Sequence, residues 1–274
     1  MSGVVLGIDT SATVCAGLAR DGQVLAAGVV DNTRAHAEQL MPLVQRIAAA
    51  AGLSALAELD AIAVGVGPGP FTGLRVGVVA AVTLAEALGI PVRGVCSLDV
   101  LAHQAVTAGL VSSDFVVASD ARRKEWYWAR YAVVSGQTGT DNGDSPSVLT
   151  EAPVPAFGGT VQGSGQGGTD TGDSPSAPVE STVSAFGGTV PMTSLVHRVA
   201  GPFVTAPDQL PPLPKVGPVT DAPLELDAGV LAAVAADLPD AGLEPLYLRR
   251  PDAEVPTTRK STLLPPRLAP RRVR

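Results

Sequence analysis

A carboxylate followed by two hydroxyls, Asp9-Thr10-Ser11, is the first group of side chains whose types suit chemistry. These residues follow a short apolar run that starts at Val4, so we expect them at the end of a buried strand. A carboxylate and hydroxyls at a strand end can hold a metal ion or a nucleotide phosphate. The next residue is Ala12 rather than the glycine that lets a backbone wrap around a phosphate. A purely structural strand-end turn is therefore the alternative.

A glycine- and proline-rich loop, Gly65 to Gly73, is the second candidate. It lies between an apolar run ending at Val64 and a helical pattern that extends to Leu88, with Thr72 as the expected N-cap. Free N–H groups at such a helix N-terminus can bind an anion. The loop has neither the Lys-Ser/Thr of a Walker loop nor the spacing of a dinucleotide fingerprint, so a rigid turn that positions the helix is the alternative.

The histidines and Ser11 form no recognisable catalytic or metal-binding pattern. No histidine has a second one four residues further on, and Ser11 does not lie in a nucleophile elbow. The three histidines are His36, His103 and His197. The sequence therefore predicts no metal site and no catalytic residues.

Composition favours a soluble cytoplasmic protein of one or two domains. The chain has 274 residues, no run of about 18 apolar residues and no basic segment at its start. Its two cysteines, Cys15 and Cys96, are too few for a disulfide framework, so we expect buried thiols.

The charge is divided between an acidic body and a basic end. Residues 249–274 hold eight Lys and Arg against two acidic residues, which leaves 11 cationic and 24 acidic residues, a net charge of −13, in the remainder. An acidic body binds nucleic acid poorly by itself. The basic tail could contact phosphates, but its prolines favour a solvated disordered end.

The order of elements predicts an α/β fold. Residues 4–95 have the pattern of three strands, a helix, a strand, a helix and a strand, and a short helix follows at 97–105. A hairpin edge that leads into crossover helices is typical of a mixed, ribonuclease-H-like sheet. A second hairpin pattern at 115–134 indicates a second, smaller subdomain.

A near-tandem duplication interrupts the second subdomain. Residues 135–161 and 164–190 share S-G-Q, G-D-S-P-S and A-F-G-G-T-V at an offset of 29 and contain no Lys or Arg. Two Gly-, Ser- and Pro-rich copies bury little apolar surface, so we expect disorder over 135–190. The predicted organisation is a first subdomain (1–106, joined by a helix near 226–240), a second subdomain (107–134 and 191–225), the insertion (135–190), and a C-terminal segment with the basic tail (241–274).

Several motifs together resemble the TsaB (YeaZ) family. They are I-D-T-S from Ile8, R-A-H-A-E-Q-L-M-P from Arg34, A-V-G-V-G-P-G-P-F-T-G-L-R from Ala63, D-A-R-R-K-E-W-Y from Asp120 and P-L-Y-L-R-R-P from Pro245. The glycine stretch with its F-T-G-L-R ending is the most specific. The resemblance covers roughly 1–134 and 191–260 and omits the duplicated block.

The resemblance implies an actin-like (ASKHA) fold of two ribonuclease-H-like subdomains and a role as the non-catalytic partner of TsaD. TsaB, TsaD and TsaE would together transfer a threonylcarbamoyl group to N6 of adenosine 37 in tRNAs that read codons beginning with A. The resemblance also implies that the chain has no cofactor of its own and that ATP or ADP would bind only at an interface of the complex. The chain alone could form a homodimer, its oligomeric state being left open by the sequence; it would meet tRNA mainly through the complex and have no contact with membranes. The family's older glycoprotease name finds no support in these residues.

The same resemblance assigns the partner-binding face to two helices. In relatives these helices pack against the matching pair of TsaD or of a second TsaB, and the small residues four apart in the second helix favour close contact. The same small residues could instead pack on the chain's own sheet. The assigned residues are Arg34, His36, Leu40, Leu43, Thr72, Gly73, Arg75, Val76, Gly77, Ala80 and Ala81.

Two other hypotheses remain from the residues alone. One is an actin-like ATP-dependent phosphotransferase or ATPase that uses Asp9, with Thr10 and Ser11 at the nucleotide. The other is an independent tRNA binder that works through the basic tail.

Overall fold

Two β-sheets and four α-helices make up the described part of this computed structural model, which comprises residues 3–30, 36–135, 181–189 and 194–249. The strands are β1 (Val4–Asp9), β2 (Val14–Arg20), β3 (Gln23–Val30), β4 (Ala61–Gly65), β5 (Val92–Val95), β6 (Phe115–Asp120), β7 (Trp126–Ser135), β8 (Ser181–Thr189), β9 (Ser194–Thr205) and β10 (Lys215–Val216). The helices are α1 (His36–Ala50), α2 (Phe71–Leu88), α3 (Ser97–Thr107) and α4 (Ala228–Val234).

The first sheet has the strand order β5-β4-β1-β2-β3-β8. Strands β1, β2 and β3 form an antiparallel meander, whereas β4 and β5 continue on the other side of β1 as parallel strands. Every residue of β1 and β4 is buried, as expected for strands covered on both faces. A meander followed by two parallel strands with helical crossovers is the ribonuclease-H-like topology, and the predicted fold class is confirmed.

Helices cover both faces of the first sheet. Helices α1 and α2 pack on the face that carries Leu6 and Ile8, while α4 packs on the opposite face against Val5. The start of α4 lies so close to β2 that a Cβ on Gly17 would overlap the backbone of Gly229. Helix α4 comes from the C-terminal half of the chain but therefore packs as part of the first subdomain, against the first sheet.

The second sheet has the order β10-β6-β7-β9 and packs on α3. Strands β6, β7 and β9 are antiparallel neighbours, and β10 runs parallel to β6. Its core includes the stacked rings of Phe115 and Tyr131, whose centroids are 5.6 Å apart. This sheet resembles a shortened copy of the first one.

Two predictions about element boundaries are wrong. Helix α2 begins at Phe71 with Pro70 as its N-cap, so Thr72 lies inside the first turn and does not cap the helix. Residues 181–189, which we expected to be disordered, form β8 and pair antiparallel with β3. Residues 136–180 and 190 of the duplicated block lie outside the described residues, as do residues 250–274 of the basic tail.

Helix α2 is also the one helix of the described residues that is long and apolar enough to cross a membrane by length and composition alone, with a mean hydropathy of 1.6. In the fold it packs on the first sheet through buried residues such as Leu74 and Ala81. The apolar side chains on this side of α2 are therefore part of the protein core.

Candidate functional site

The inner face of α2 rests on the turn between β1 and β2. The hydroxyl of Thr10 donates a hydrogen bond to the carbonyl oxygen of Gly73 at 2.8 Å. A Cβ on Gly77 would overlap Oγ1 of Thr10, so only glycine allows this approach. The small residues four apart on this face of α2, which include Gly73 and Gly77, therefore pack within the chain. The prediction that they face a partner protein is wrong.

Asp9 is buried beneath this contact and its carboxylate is fully engaged. Oδ1 accepts hydrogen bonds from the backbone N–H of Ser11 at 2.7 Å and from its hydroxyl at 2.6 Å. Oδ2 accepts a hydrogen bond from Oγ of Ser97, and a Cβ on Gly65 would overlap that same oxygen. Burial raises the pKa of Asp9, while the hydrogen bonds from Ser11 and Ser97 lower it by a smaller amount.

The glycine loop closes over this turn. The N–H of Gly67 donates to Oγ of Ser97 at 3.2 Å, and the N–H of Ser97 donates to the carbonyl of Gly67 at 2.8 Å. A Cβ on Gly69 would approach the carbonyl oxygen of Ser11 to 2.6 Å. The loop and the Asp9 turn fill each other's space, so Asp9, Thr10 and Ser11 hold the fold together. This arrangement does not favour their assignment to a nucleotide.

The outer face of α2 borders an open groove toward α1. The groove has a cavity volume of about 530 Å³ and almost wholly apolar walls. Phe71 is 38% exposed and Val79 is 59% exposed. Large apolar side chains exposed together on one surface often mark a binding site. The lining residues are Leu40 and Met41 from α1 and Phe71, Thr72, Arg75, Val76, Val79 and Ala80 from α2.

One cation lies within this apolar lining. The guanidinium carbon of Arg75 is 5.3 Å from the centroid of the Phe71 ring, within range of a cation–π interaction. The positions of Phe71, Arg75 and Val79, four residues apart, place their side chains along one face of the helix. An apolar groove between two helices suits the ridge of a helix from another protein.

A segment near the C-terminal end of the described chain, residues 245–249, contacts Phe71 at one end of the groove, and we call it the C-terminal strap. The ring of Tyr247 lies 4.6 Å from that of Phe71, and the N–H of Leu246 donates to the carbonyl of Val66 at 2.8 Å. Arg249 then donates to the carbonyl oxygen of Ala121 at 2.7 Å in the turn between β6 and β7. The strap therefore connects the groove with the second sheet.

The predicted partner-binding residues divide between the groove and the core. Four of them line the groove at the surface: Thr72, Arg75, Val76 and Ala80. Leu40 lies in its floor and is 1% exposed. Four others are buried in the chain's own core, which corrects their assignment to a partner-binding face: Leu43, Gly73, Gly77 and Ala81. Arg34 lies outside the described residues, and His36 is the first residue of α1.

Sequence reasoning missed three residues of the groove, Met41, Phe71 and Val79. The signal was available for α2, because large apolar residues at 71 and 79 lie on the face opposite the glycines at 73 and 77. A helix with apolar residues on both faces has one face more than its own core needs.

A buried polar cluster joins α3 to the second sheet. The hydroxyl of Tyr131 donates to Oδ1 of Asp99 at 2.7 Å, and Nη1 of Arg198 lies 3.5 Å from the same oxygen. Burial raises the pKa of both Asp99 and Tyr131. The neighbouring thiol of Cys96 is buried too, which raises its pKa to about 12 and makes it unreactive. The cluster is a structural anchor.

Metal-ligating side chains do not converge in the described ranges. No group of three or more His, Cys, Asp or Glu residues between positions 3 and 249, the undescribed segments aside, is close enough to hold a metal ion. Within these residues the groove is therefore the best-formed candidate site.

Comparison with known proteins identifies the family to which this chain belongs. The model described as "TsaD: tRNA N6-adenosine threonylcarbamoyltransferase" matches residues 26–257. An uncharacterized protein of Mycobacterium tuberculosis (strain H37Rv) is 40% identical over 256 residues, which cover 91% of this chain and 93% of that protein. TsaB of Escherichia coli K12 is 38% identical over 128 residues, which cover 46% of this chain and 54% of TsaB.

The solved structure of YeaZ from Pseudomonas aeruginosa has 38% identity, a TM-score of 0.43, and covers 48% of this chain and 61% of YeaZ. The chain spans about half the length of the TsaB proteins that it matches, such as 56% of that of Bacillus subtilis.

The extent of the family match defines the class of protein: the chain belongs to the family of TsaD-like proteins. Within that family it is a TsaB (YeaZ) homologue, as its motifs indicated, and this prediction is confirmed. Its two sheets of ribonuclease-H-like topology form an actin-like fold.

Proposed function

We propose that this chain is a non-catalytic subunit that binds TsaD and supports transfer of the threonylcarbamoyl group to N6 of adenosine 37 in tRNAs reading codons that begin with A. The relatives that carry the TsaB name are tRNA threonylcarbamoyladenosine biosynthesis proteins. The observation that carries the proposal is the apolar groove between α1 and α2, which exposes Phe71 and Val79.

The occupant of the groove is a pair of helices from TsaD. The family model that matches this chain is named for TsaD, so the two proteins are related and we expect an equivalent helix pair in TsaD. Two such pairs meeting face to face form a four-helix arrangement, in which the exposed side chains of one pair fill the groove of the other. Without TsaD, a second copy of this chain binds the same face.

The Asp9 turn supports a non-catalytic role. A phosphotransferase that uses Asp9 needs its carboxylate open to nucleotide or metal, whereas here Ser11 and Ser97 engage both oxygens and the glycine loop covers the turn. The chemistry then belongs to TsaD, with TsaE in the same complex. ATP or ADP binds only at an interface of that complex, and the assembly acts in the cytoplasm.

The test is capture of TsaD by the full chain carrying Val79→Glu. A carboxylate at this exposed groove position would be buried without a partner in the complex, so we expect at least about a tenfold loss of affinity. The free chain should keep its stability within about 0.5 kcal/mol, because Val79 is at the surface.

Gln45→Glu is the matched control, since it adds the same charge to an exposed position of α1 that does not line the groove. It should bind TsaD like the wild type. Undiminished capture by Val79→Glu would place the interface elsewhere. Absence of any complex with the wild type would reject the proposed function.

A further inference from the structure

Three sequence motifs that lie far apart in the chain meet at one place in the fold. They are the glycine stretch that begins at Ala63, the motif that begins at Asp120 and the motif that begins at Pro245. The third motif contains the C-terminal strap, which contacts residues of both the others. The groove is lined by residues of the first of these motifs and by none of the other two.

Arg249 fastens the strap to the second sheet. Its Nη1 donates to the carbonyl oxygens of Ala121 and Arg122 at 2.7 and 3.2 Å, and its Nη2 lies 3.1 Å from Oε2 of Glu125. A guanidinium group can bind several oxygens at once because its donors point in fixed directions in one plane. The side chain of Arg249 is 23% exposed, so most of it is shielded from water.

The turn between β6 and β7 is a defined anchor for this side chain. The N–H of Ala121 donates to the carbonyl of Glu125 at 2.9 Å, and the N–H of Glu125 donates to the carbonyl of Arg122 at 3.0 Å. Oδ1 of Asp120 accepts the N–H of Arg122 at 2.7 Å. These hydrogen bonds hold the two carbonyl oxygens that Arg249 binds in fixed positions.

The strap reaches the groove two residues before Arg249. The ring of Tyr247 lies 4.6 Å from the ring of Phe71, and the N–H of Leu246 donates to the carbonyl of Val66 at 2.8 Å. Phe71 is the first residue of α2 and is 38% exposed, so the core holds its ring only in part. The position of this ring therefore depends on its neighbour in the strap.

We propose that Arg249 is a positioning residue for the partner-binding groove: by fastening the strap to the β6–β7 turn, it holds Tyr247 against Phe71. An exposed ring that is already held in place loses less conformational entropy when a partner covers it. The inference rests on the proposed function, in which this partner is TsaD. The second sheet thereby contributes to binding although none of its residues lines the groove.

The test is a double-mutant cycle on the affinity of the full chain for TsaD. Arg249→Met removes the guanidinium donors but keeps a long side chain, and Phe71→Ala removes the ring that the strap holds. We expect Arg249→Met to weaken binding about fivefold in the wild-type background, and less than about 1.5-fold in the Phe71→Ala background. Tyr247→Ala is a second background in which Arg249→Met should have no further effect. Equal losses in all three backgrounds would overturn the proposal, because Arg249 would then act independently of Phe71.

Two further variants separate position from charge. Arg249→Lys keeps a cation for Glu125, but its single nitrogen does not reproduce the fork that also binds two carbonyl oxygens, so its affinity should be intermediate. Arg20→Met is the matched control: it removes the same charge from an exposed residue that pairs with Val4, at the other end of β1 from the glycine loop. It should bind TsaD within about 1.5-fold of the wild type.

Urea unfolding of the same variants distinguishes positioning from a general loss of stability. Arg249→Met should unfold at nearly the wild-type urea concentration, because partly exposed ion pairs contribute little to global stability. A loss of affinity accompanied by a matching loss of stability would overturn the proposal.

Hydrogen exchange of the isolated chain separates this inference from the proposed function. In Arg249→Met, the N–H of Leu246 should exchange at least about fivefold faster, because the strap opens more often. The N–H of Ile62, which donates to the carbonyl of Pro91 in the first sheet, should exchange as in the wild type. Unchanged exchange at Leu246 would overturn the proposal. Absence of a complex between TsaD and the wild type would reject the proposed function, and the exchange rates would still decide whether Arg249 holds the strap.

Discussion

The two faces of α2 use opposite kinds of side chain. The inner face has Gly73 and Gly77, which allow Thr10 to contact the helix backbone. The outer face has Phe71 and Val79, which leave large apolar surfaces in solvent. Small residues here mark contact within the chain, and large exposed residues mark the surface available to another protein.

The comparison shows how a helical stripe can be misassigned. Glycines four apart allow close approach of any neighbour, whether a helix of a partner or a turn of the same chain. Which neighbour is present depends on residues far away in sequence, as with Thr10 and Gly77. The large residues are more informative, because a side chain that the fold leaves exposed has no role in its own core.

The largest expected effect is on the inner face. Gly77→Leu places a side chain where Thr10 already lies, so it should destabilise the chain by about 3 kcal/mol or more in urea unfolding. Ala87→Leu, at an exposed position of the same helix, should change the free energy of unfolding by less than about 0.5 kcal/mol. Similar stabilities of the two variants would mean that Gly77 does not face Thr10.

A smaller effect is expected where the strap meets the outer face. The rings of Phe71 and Tyr247 should contribute a coupling free energy of about 1 kcal/mol, as other aromatic pairs do. A double-mutant cycle with Phe71→Ala and Tyr247→Ala, measured by urea unfolding, gives this quantity. Coupling near zero would show that the contact between Tyr247 and Phe71 does not form in solution.

The smallest effect concerns the pH dependence of the buried turn. Burial raises the pKa of Asp9 above 3.8, so the folded chain binds this proton more tightly than the unfolded chain does. The proton's contribution to stability is complete below the unfolded pKa and is lost as the pH rises through the folded pKa. The stability of the wild type relative to Asp9→Asn should therefore fall as the pH rises from about 4.

Urea unfolding of both chains at several pH values measures this difference. A difference that is constant or that grows with pH would contradict a raised pKa, and would indicate that Asp9 is more solvated than its contacts with Ser11 and Ser97 imply.

Local patterns were sufficient to predict five of the six strands of the first sheet, β1 to β5. The strands β1 to β5 are apolar runs separated by turn residues, and the hairpin order left one reasonable topology. The start of α2 was placed incorrectly because Thr72 is a good N-cap residue, whereas Pro70 occupies the cap in the fold. Residue preference is weaker here than the backbone angle that proline fixes.

Contacts distant in sequence could not be predicted from patterns. The strap lies beside the β6–β7 turn because Arg249 donates to the carbonyl of Ala121, 128 residues away. Likewise, β8 was not expected because its Gly-, Ser- and Thr-rich sequence buries little by itself. It forms a strand by pairing with the exposed edge of β3, which supplies hydrogen bonds that the segment's own composition does not indicate.

The pairing of β8 also means that the two copies of the duplicated block are not interchangeable. Thr182 and Ser184 pair with Val29 and Ala27, whereas the first copy has Pro153 and Pro155 at the matching positions. Proline has no N–H to donate, so the first copy cannot replace the second in this ladder. The second copy has kept a sequence able to act as a strand, and losing it would reopen the sheet edge even though a near-identical segment remained in the chain.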